Sequence, residues 1–209
     1  MSMTYKQIQD AVLSDSFPEG RRVDAKTWIQ FRHSWLWDLE EWTFKYGTGA
    51  VTFTAGSQVA AAPADLQTVL ALYNAMGLPV RGVRDPREFF DTTNPQLGGA
   101  GGAPIFYTVV GGQLLVGSAG DGSTGFIVYE KKKPTLFNDL DATGLPDGYD
   151  LALVHGGKAE GFKLTNVPLW QGFDDDFTAA ANALRRNYLT SIREAGAQQL
   201  GAFRARQWA

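Results

Sequence analysis

The chain has 209 residues, 24 glycines, no cysteine and a formal net charge of -3. That length buries a sizeable core without disulfide or metal staples, and the missing cysteines exclude disulfides, thiolate nucleophiles and cysteine-ligated zinc. The mildly acidic balance argues against a protein built chiefly to grip nucleic acid, which calls for a basic surplus.

The first residues, MSMTYKQIQD, are polar and lack the apolar stretch of a secretory signal, and no segment has the apolar length of a membrane span. A soluble intracellular product from a reducing compartment is expected. Residues 4–14 read as a short helix with Tyr5, Ile8 and Val12 on one face and Thr4 or Ser2 as its cap. Phe17-Pro18-Glu19-Gly20 ends it, since proline disfavours helix at the preceding residue.

A tryptophan-rich segment follows, Asp24–Tyr46, holding four of the six tryptophans. Trp28, Trp35 and Trp42 recur at a spacing of nearly two helical turns, which predicts one aromatic stripe on a helix capped by Asp24, stapled by Val23 and ending near Glu41. The stripe is expected to form a seam against the last helix. Trp37 points the other way and gives the helix a second surface to cover.

Residues 42–55 alternate apolar and small polar types around Gly47-Thr48-Gly49, a hairpin pattern. Residues 58–63 read as a short extended piece. Residues 65–83 are ambiguous: Leu66, Val69, Leu70 and Tyr73 fit one helix face, but the turn residues Asn74–Gly77 favour a strand that turns there and returns through Val80. Pro86–Phe90 starts a short helix. Ile105–Val110 and Gln113–Val116 flank Gly111-Gly112, a two-residue hairpin turn. Phe126–Tyr129 is another strand, and the charges of Glu130–Lys133 suit an exposed sheet edge. Leu145-Pro146-Asp147 leads into a helix over 149–162. A long helix from Phe173 carries Phe177, Ala181, Leu184, Tyr188 and Ile192 on one face.

The predicted architecture is α+β. N- and C-terminal helices (residues 1–41 and 136–209) pack together as a helical bundle, and residues 42–135 form an inserted β-rich domain, an antiparallel sheet or sandwich, with a short helix near 86–91.

Catalytic chemistry finds little support. The glycines at 98–102 lead into a strand, whereas a phosphate cradle needs a helix N-terminus after them. His33 and His155 lack metal-ligand spacing, and Ser34 next to His33 cannot form a nucleophile–base pair from adjacent helical positions. Asp174–Asp176 read as charge complementing a helix start. Asp139, Asp141, Asp147 and Asp150 read as a solvated acidic loop. No catalytic residue, cofactor or metal is assigned. The C-terminus is locally basic: Arg185, Arg186, Arg193, Arg204 and Arg206 face only Glu194, and Trp208 follows. Arginine and tryptophan are favoured interface anchors, so these residues and Trp37 are the candidate contacts with another chain.

The order of several motifs carries a resemblance: W-x6-W in an N-terminal helix, Ala62-Pro63-Ala64-Asp65-Leu66, Pro79-Val80-Arg81, and the Pro86–Phe90 helix. Gly102–Tyr107, Gly111–Val116, Leu145–Tyr149 and a long last helix complete it. Together they resemble the head-to-tail adaptor proteins of tailed bacteriophages, in the branch with a β domain between helical segments. The resemblance implies a homo-oligomeric, usually dodecameric, ring under the portal protein in the virion neck, assembled in the host cytoplasm. It also implies a downstream neck or tail partner, DNA passing through without sequence-specific binding, and a C-terminal segment lying along the portal. One departure is Gly117–Asp121, where many relatives carry a proline-bearing turn. Outside this family, a β-rich module binding carbohydrate or a protein partner explains the aromatics and hairpins but not the terminal helices. A hydrolase, the third class, lacks a paired nucleophile and base.

Overall fold

The structure, a computed structural model, describes residues 2–14, 16–92, 103–117 and 120–189. In chain order its elements are α1 (Tyr5–Leu13), α2 (Arg22–Asp38), β1 (Tyr46–Phe53), β2 (Val59–Ala61), β3 (Leu66–Tyr73), β4 (Arg81–Gly82), α3 (Pro86–Thr92), β5 (Phe106–Val110), β6 (Gln113–Val116), β7 (Thr124–Lys131), α4 (Asp150–Leu164) and α5 (Trp170–Tyr188). The fold is mixed α+β. The described residues form two compact units, one running to Phe44 and resuming at Lys133, the other covering Lys45–Lys132.

In the helical unit α1 starts with a reciprocal cap. The Thr4 hydroxyl accepts from the Gln7 N–H, and the Gln7 side chain accepts from the Thr4 N–H at 2.8 Å, so two donors with no intrahelical partner are satisfied. Tyr5, Ile8 and Val12 lie fully buried along its inner face.

The helix α2 departs from expectation at both ends. A 3-10 turn over Glu19–Arg21 delivers the chain, so α2 begins at Arg22 and Asp24 lies in its first turn, held by Arg21 at 2.9 Å. Its charge still suits the helix dipole, but it caps nothing. Val23 is exposed and staples nothing. The helix ends at Asp38, and Trp42 folds back so that its indole N–H donates to the Leu36 carbonyl at 2.8 Å. That bond satisfies a carbonyl which the helix terminus leaves open. Trp28 and Trp42 are buried, whereas Trp35 is 43% exposed. The three rings are therefore not one buried seam.

Helix α4 supplies the surface on which α1 and α2 pack. Glycines inside a helix each cost about 1 kcal/mol relative to alanine. Here they permit close approach: a Cβ on Gly157 would meet Val12 at 2.9 Å, and one on Gly161 would meet Phe17 at 2.5 Å and Trp28 at 2.6 Å. Helix α5 starts at Trp170, three residues before the expected Phe173, so Asp174–Asp176 lie in its second turn. They bond laterally: Asp174 accepts from Arg32 at 2.6 Å and stands 3.4 Å from the Lys163 ammonium. The face predicted for the last helix is buried at Phe177, Ala181 and Leu184, while Ile192 lies outside the described residues. The acidic loop is not simply solvated. Asp141 accepts the N–H groups of Phe137 and Asn138, which holds its carboxyl below the usual range, and buried Asp150 accepts from the Met3 N–H at 2.7 Å and the Thr143 hydroxyl at 2.5 Å.

The other unit is a seven-stranded sheet in the order β3-β7-β1-β2-β6-β5-β4. All its pairings are antiparallel except β4 with β5. The sheet curls until its ends approach: the turn at Asn74–Gly77 brings Val80 back to donate to the Leu72 carbonyl at 2.8 Å. Val51, Phe53, Leu72, Leu114, Val116 and Ile127 fill the interior.

Two expectations are corrected here. Residues 46–53 form one unbroken strand rather than a hairpin. Gly47 is there for close approach, since a Cβ on it would lie 2.8 Å from the Tyr129 ring. That ring's hydroxyl donates to Asp65 at 2.8 Å, and burial with the neighbouring carboxylate pushes it up to about 12. The strand followed by Glu130–Lys133 lies between β3 and β1, so those charges guard no edge. The Gly111-Gly112 turn is as expected, with φ of 58° and 79°, a left-handed pair that only glycine adopts freely. At the departure from the family pattern, Gly120 bridges to Ala55, and a Cβ there would fall 2.4 Å from the Phe53 carbonyl oxygen, so no larger residue fits.

Candidate interaction surfaces

Trp37, singled out as the ring on the back of its helix, is only 5% exposed. Its indole packs edge-on against Phe44 at 5.6 Å, lies 6.0 Å from the His33 ring and abuts Gly144, all within the helical unit. It offers no free surface. Arg185 and Arg186 lie in the exposed last turns of α5, where positive charge complements the dipole. Arg185 reaches Glu40 at 2.8 Å. Arg193, Arg204, Arg206 and Trp208 lie outside the described residues.

The surface that the spacing argument missed is on α2. Val23 (75% exposed), Thr27, Phe31 (57%) and Trp35 recur every fourth residue and form a ridge along the outer side of the helix. The opposite face, Ala25, Trp28, Ile29, Arg32, His33, Leu36 and Trp37, is the buried one. Apolar side chains grouped this way on a surface mark a contact more often than scattered ones do. The i+4 row was visible in the sequence. It was masked by the heptad of tryptophans, which drew the centre of the buried face too close to Trp35.

Two polar residues on the buried face are fixed by partners far away in sequence. The Arg32 guanidinium bonds Glu160 through Nε at 2.8 Å, bonds Asp174 at 2.6 Å and lies over the Phe177 ring at 4.7 Å. His33 Nε2 stands 2.8 Å from the Thr143 carbonyl oxygen. A carbonyl only accepts, so Nε2 carries the proton. Burial holds the imidazole below its ordinary range, with the carbonyl opposing the shift.

His33 and Ser34 do line a small pocket of about 280 Å³ with Gln30 and residues 133–136. Among the described residues no hydrogen bond joins Ser34 to His33, and the committed Nε2 proton leaves that nitrogen unable to act as a base. His155 stands 3.5 Å from Asp176, an ordinary surface pairing. Among the described residues no three acidic or histidine side chains gather as metal ligands, and no helix is long and apolar enough to cross a membrane. Among the described residues the molecule presents an apolar ridge, a basic helix end and a curled sheet with open ends.

Comparison with curated proteins returns no match. A family model described as SU10 adaptor protein matches residues 3–207, both helical segments and the β insert between them. The chain belongs to the SU10 adaptor protein family, a family of phage head-to-tail adaptors.

Proposed function

We propose that the protein is a structural, non-enzymatic component of the virion neck, assembling into a closed ring beneath the portal and continuing the DNA channel toward the tail. The observation that carries this is the family match from residue 3 to residue 207. Its partners are further copies of itself, in a dodecamer, the portal protein above and a neck or tail protein below. DNA passes through without sequence-specific contact, in keeping with a net charge of -3 that gives no general grip on phosphate.

The helical unit supplies the subunit contacts in this reading. Its four helices pack as a bundle, and the Val23–Phe31–Trp35 ridge lies against the neighbouring copy. Arg185 and Arg186, with Arg193, Arg204, Arg206 and Trp208 beyond them, contribute to the portal and subunit contacts. Trp37 acts from inside, by holding the end of α2 against Phe44.

The ridge makes the reading testable. A double substitution, Phe31→Ser with Val23→Ser, removes exposed apolar surface and leaves the buried face alone. It is expected to lower the self-association constant by about tenfold or more, with the melting temperature of the dilute protein unchanged within a few degrees. Sedimentation across a concentration series reads the first and a thermal scan the second. Unaltered association would remove the ridge from the interface.

A further inference from the structure

A cleft of about 490 Å³, a size usual for binding sites, lies wholly within the β unit, with β3 on one side and β4 and β5 on the other. At its closed end Val80 donates to the Leu72 carbonyl at 2.8 Å, while Arg81 and Val83 turn the other way and donate to the Ile105 and Tyr107 carbonyls. Peptide groups alternate in direction along a strand, so those of Gly82 face β3, as those of Val80 do. There the ladder fails. A register shift between Val69 and Ala71 disturbs β3 where the pairing would continue, and among the described residues no hydrogen bond joins Gly82 to it. The cleft therefore contains a short unpaired sheet edge, which is a template for an extended backbone.

The side chains beside that edge set the charge of what it takes. Arg84 is the one charged residue among the described residues lining the cleft, and it forms no ion pair among them. The neighbouring acid, Asp85, is turned to its own backbone, where it accepts the Arg87 N–H at 2.8 Å. Tyr107 lies across Gly82: a Cβ on that glycine would fall 2.9 Å from the phenol oxygen, so glycine is what makes room for the ring. Burial pushes the phenol above its ordinary range, and among the described residues its hydroxyl has no hydrogen-bond partner. Val69, Leu70, Val83 and Val109 supply the apolar part of the walls. Two donors thus stand beside an open strand edge with no carboxylate to receive them, and a guanidinium pairs a carboxylate through two hydrogen bonds. We propose that the cleft docks an extended, acidic segment of another polypeptide chain, its backbone paired with the edge at Gly82 and a carboxylate held by Arg84 and Tyr107. The inference rests on the β unit alone and does not depend on the ring reading.

The experiment uses the full chain and two end-capped synthetic heptapeptides, one alternating valine with glutamate and the other valine with lysine, followed by titration and by hydrogen exchange. The acidic peptide is expected to slow amide exchange at Gly82 saturably, and the lysine peptide to bind at least about tenfold more weakly. An acidic peptide methylated on its backbone nitrogens, which cannot pair as a strand, should give no protection. Arg84→Glu is expected to reverse the preference between the two unmethylated peptides. Arg84 is exposed, so a thermal unfolding midpoint within a few degrees of the parent serves as the folding control. Unchanged exchange at Gly82, equal binding of the acidic and lysine peptides, equal binding of the methylated peptide, or tighter binding of oligothymidylate than of the acidic peptide would each overturn the proposal.

Discussion

Arg32 shows at the scale of one residue how a polar side chain becomes part of a core. Its guanidinium is nearly enclosed, yet Glu160, Asp174 and the Phe177 face together replace the water it has lost. Removing it strands two carboxylates, with Lys163 the one cation left beside them among the described residues. Arg32→Ala is therefore expected to cost about 3–5 kcal/mol, measured by urea unfolding. His33 adds a pH dependence. Its native pKa is depressed by burial, so the unfolded chain binds the proton more readily, and stability is full above the unfolded value of roughly 6.5. Stability falls as pH drops below that value toward the native pKa. A scan from pH 7.5 downward should show this loss, and His33→Gln should flatten it while lowering stability throughout. Neither residue's burial was legible beforehand, because the atoms that satisfy them come from Thr143, Glu160 and Asp174, more than a hundred residues later in the chain.

At the scale of elements, local chemistry was legible where a residue type acts on its own backbone. The Thr4 cap, the Gly111-Gly112 turn, the Asn74–Gly77 turn and the start of α3 at Pro86 all lie where their sequences place them. It misled where a glycine serves a neighbour instead. Gly47 and Gly49 suggested a hairpin, but they make room for the Tyr129 ring and for Pro63. Likewise the glycines of α4 look like weak helix positions until the side chains of α1 and α2 are seen against them. Gly161→Ala drives a methyl into Phe17 and Trp28, and is expected to cost about 1–3 kcal/mol despite the better helix propensity of alanine. A matched substitution at Gly20, where a Cβ meets nothing within 4 Å, is expected to change stability little, so the pair separates packing from propensity in one unfolding experiment. Heptad spacing misled in a related way. It placed Trp35 in the seam, whereas the helix turns its Ala25–Trp28–Arg32–Leu36 side inward and leaves Trp35 on the rim against Phe177 at 5.3 Å.

For the whole molecule, the α+β class and the adaptor resemblance were both readable, because each rests on the order of many weak signals rather than on one residue. The interface residues were less so. Trp37 was chosen for its direction on an idealised helix, but the chain past Asp38 wraps back and Phe44 and Trp42 stack 5.8 Å apart beside it. What remains exposed after folding, the Val23–Phe31–Trp35 ridge and the open cleft of the sheet, depends on which surfaces the rest of the chain consumes. The proposed ring needs such unconsumed surface, since in it each copy meets neighbours on two sides and different proteins above and below. Native mass spectrometry of the purified protein mixed with the portal protein of a phage that carries it tests this most directly. The account predicts a closed assembly with a fixed number of adaptor copies on each portal ring, stable to moderate dilution. A chain that stays monomeric at every mixing ratio, with no mass added to the portal, would contradict it.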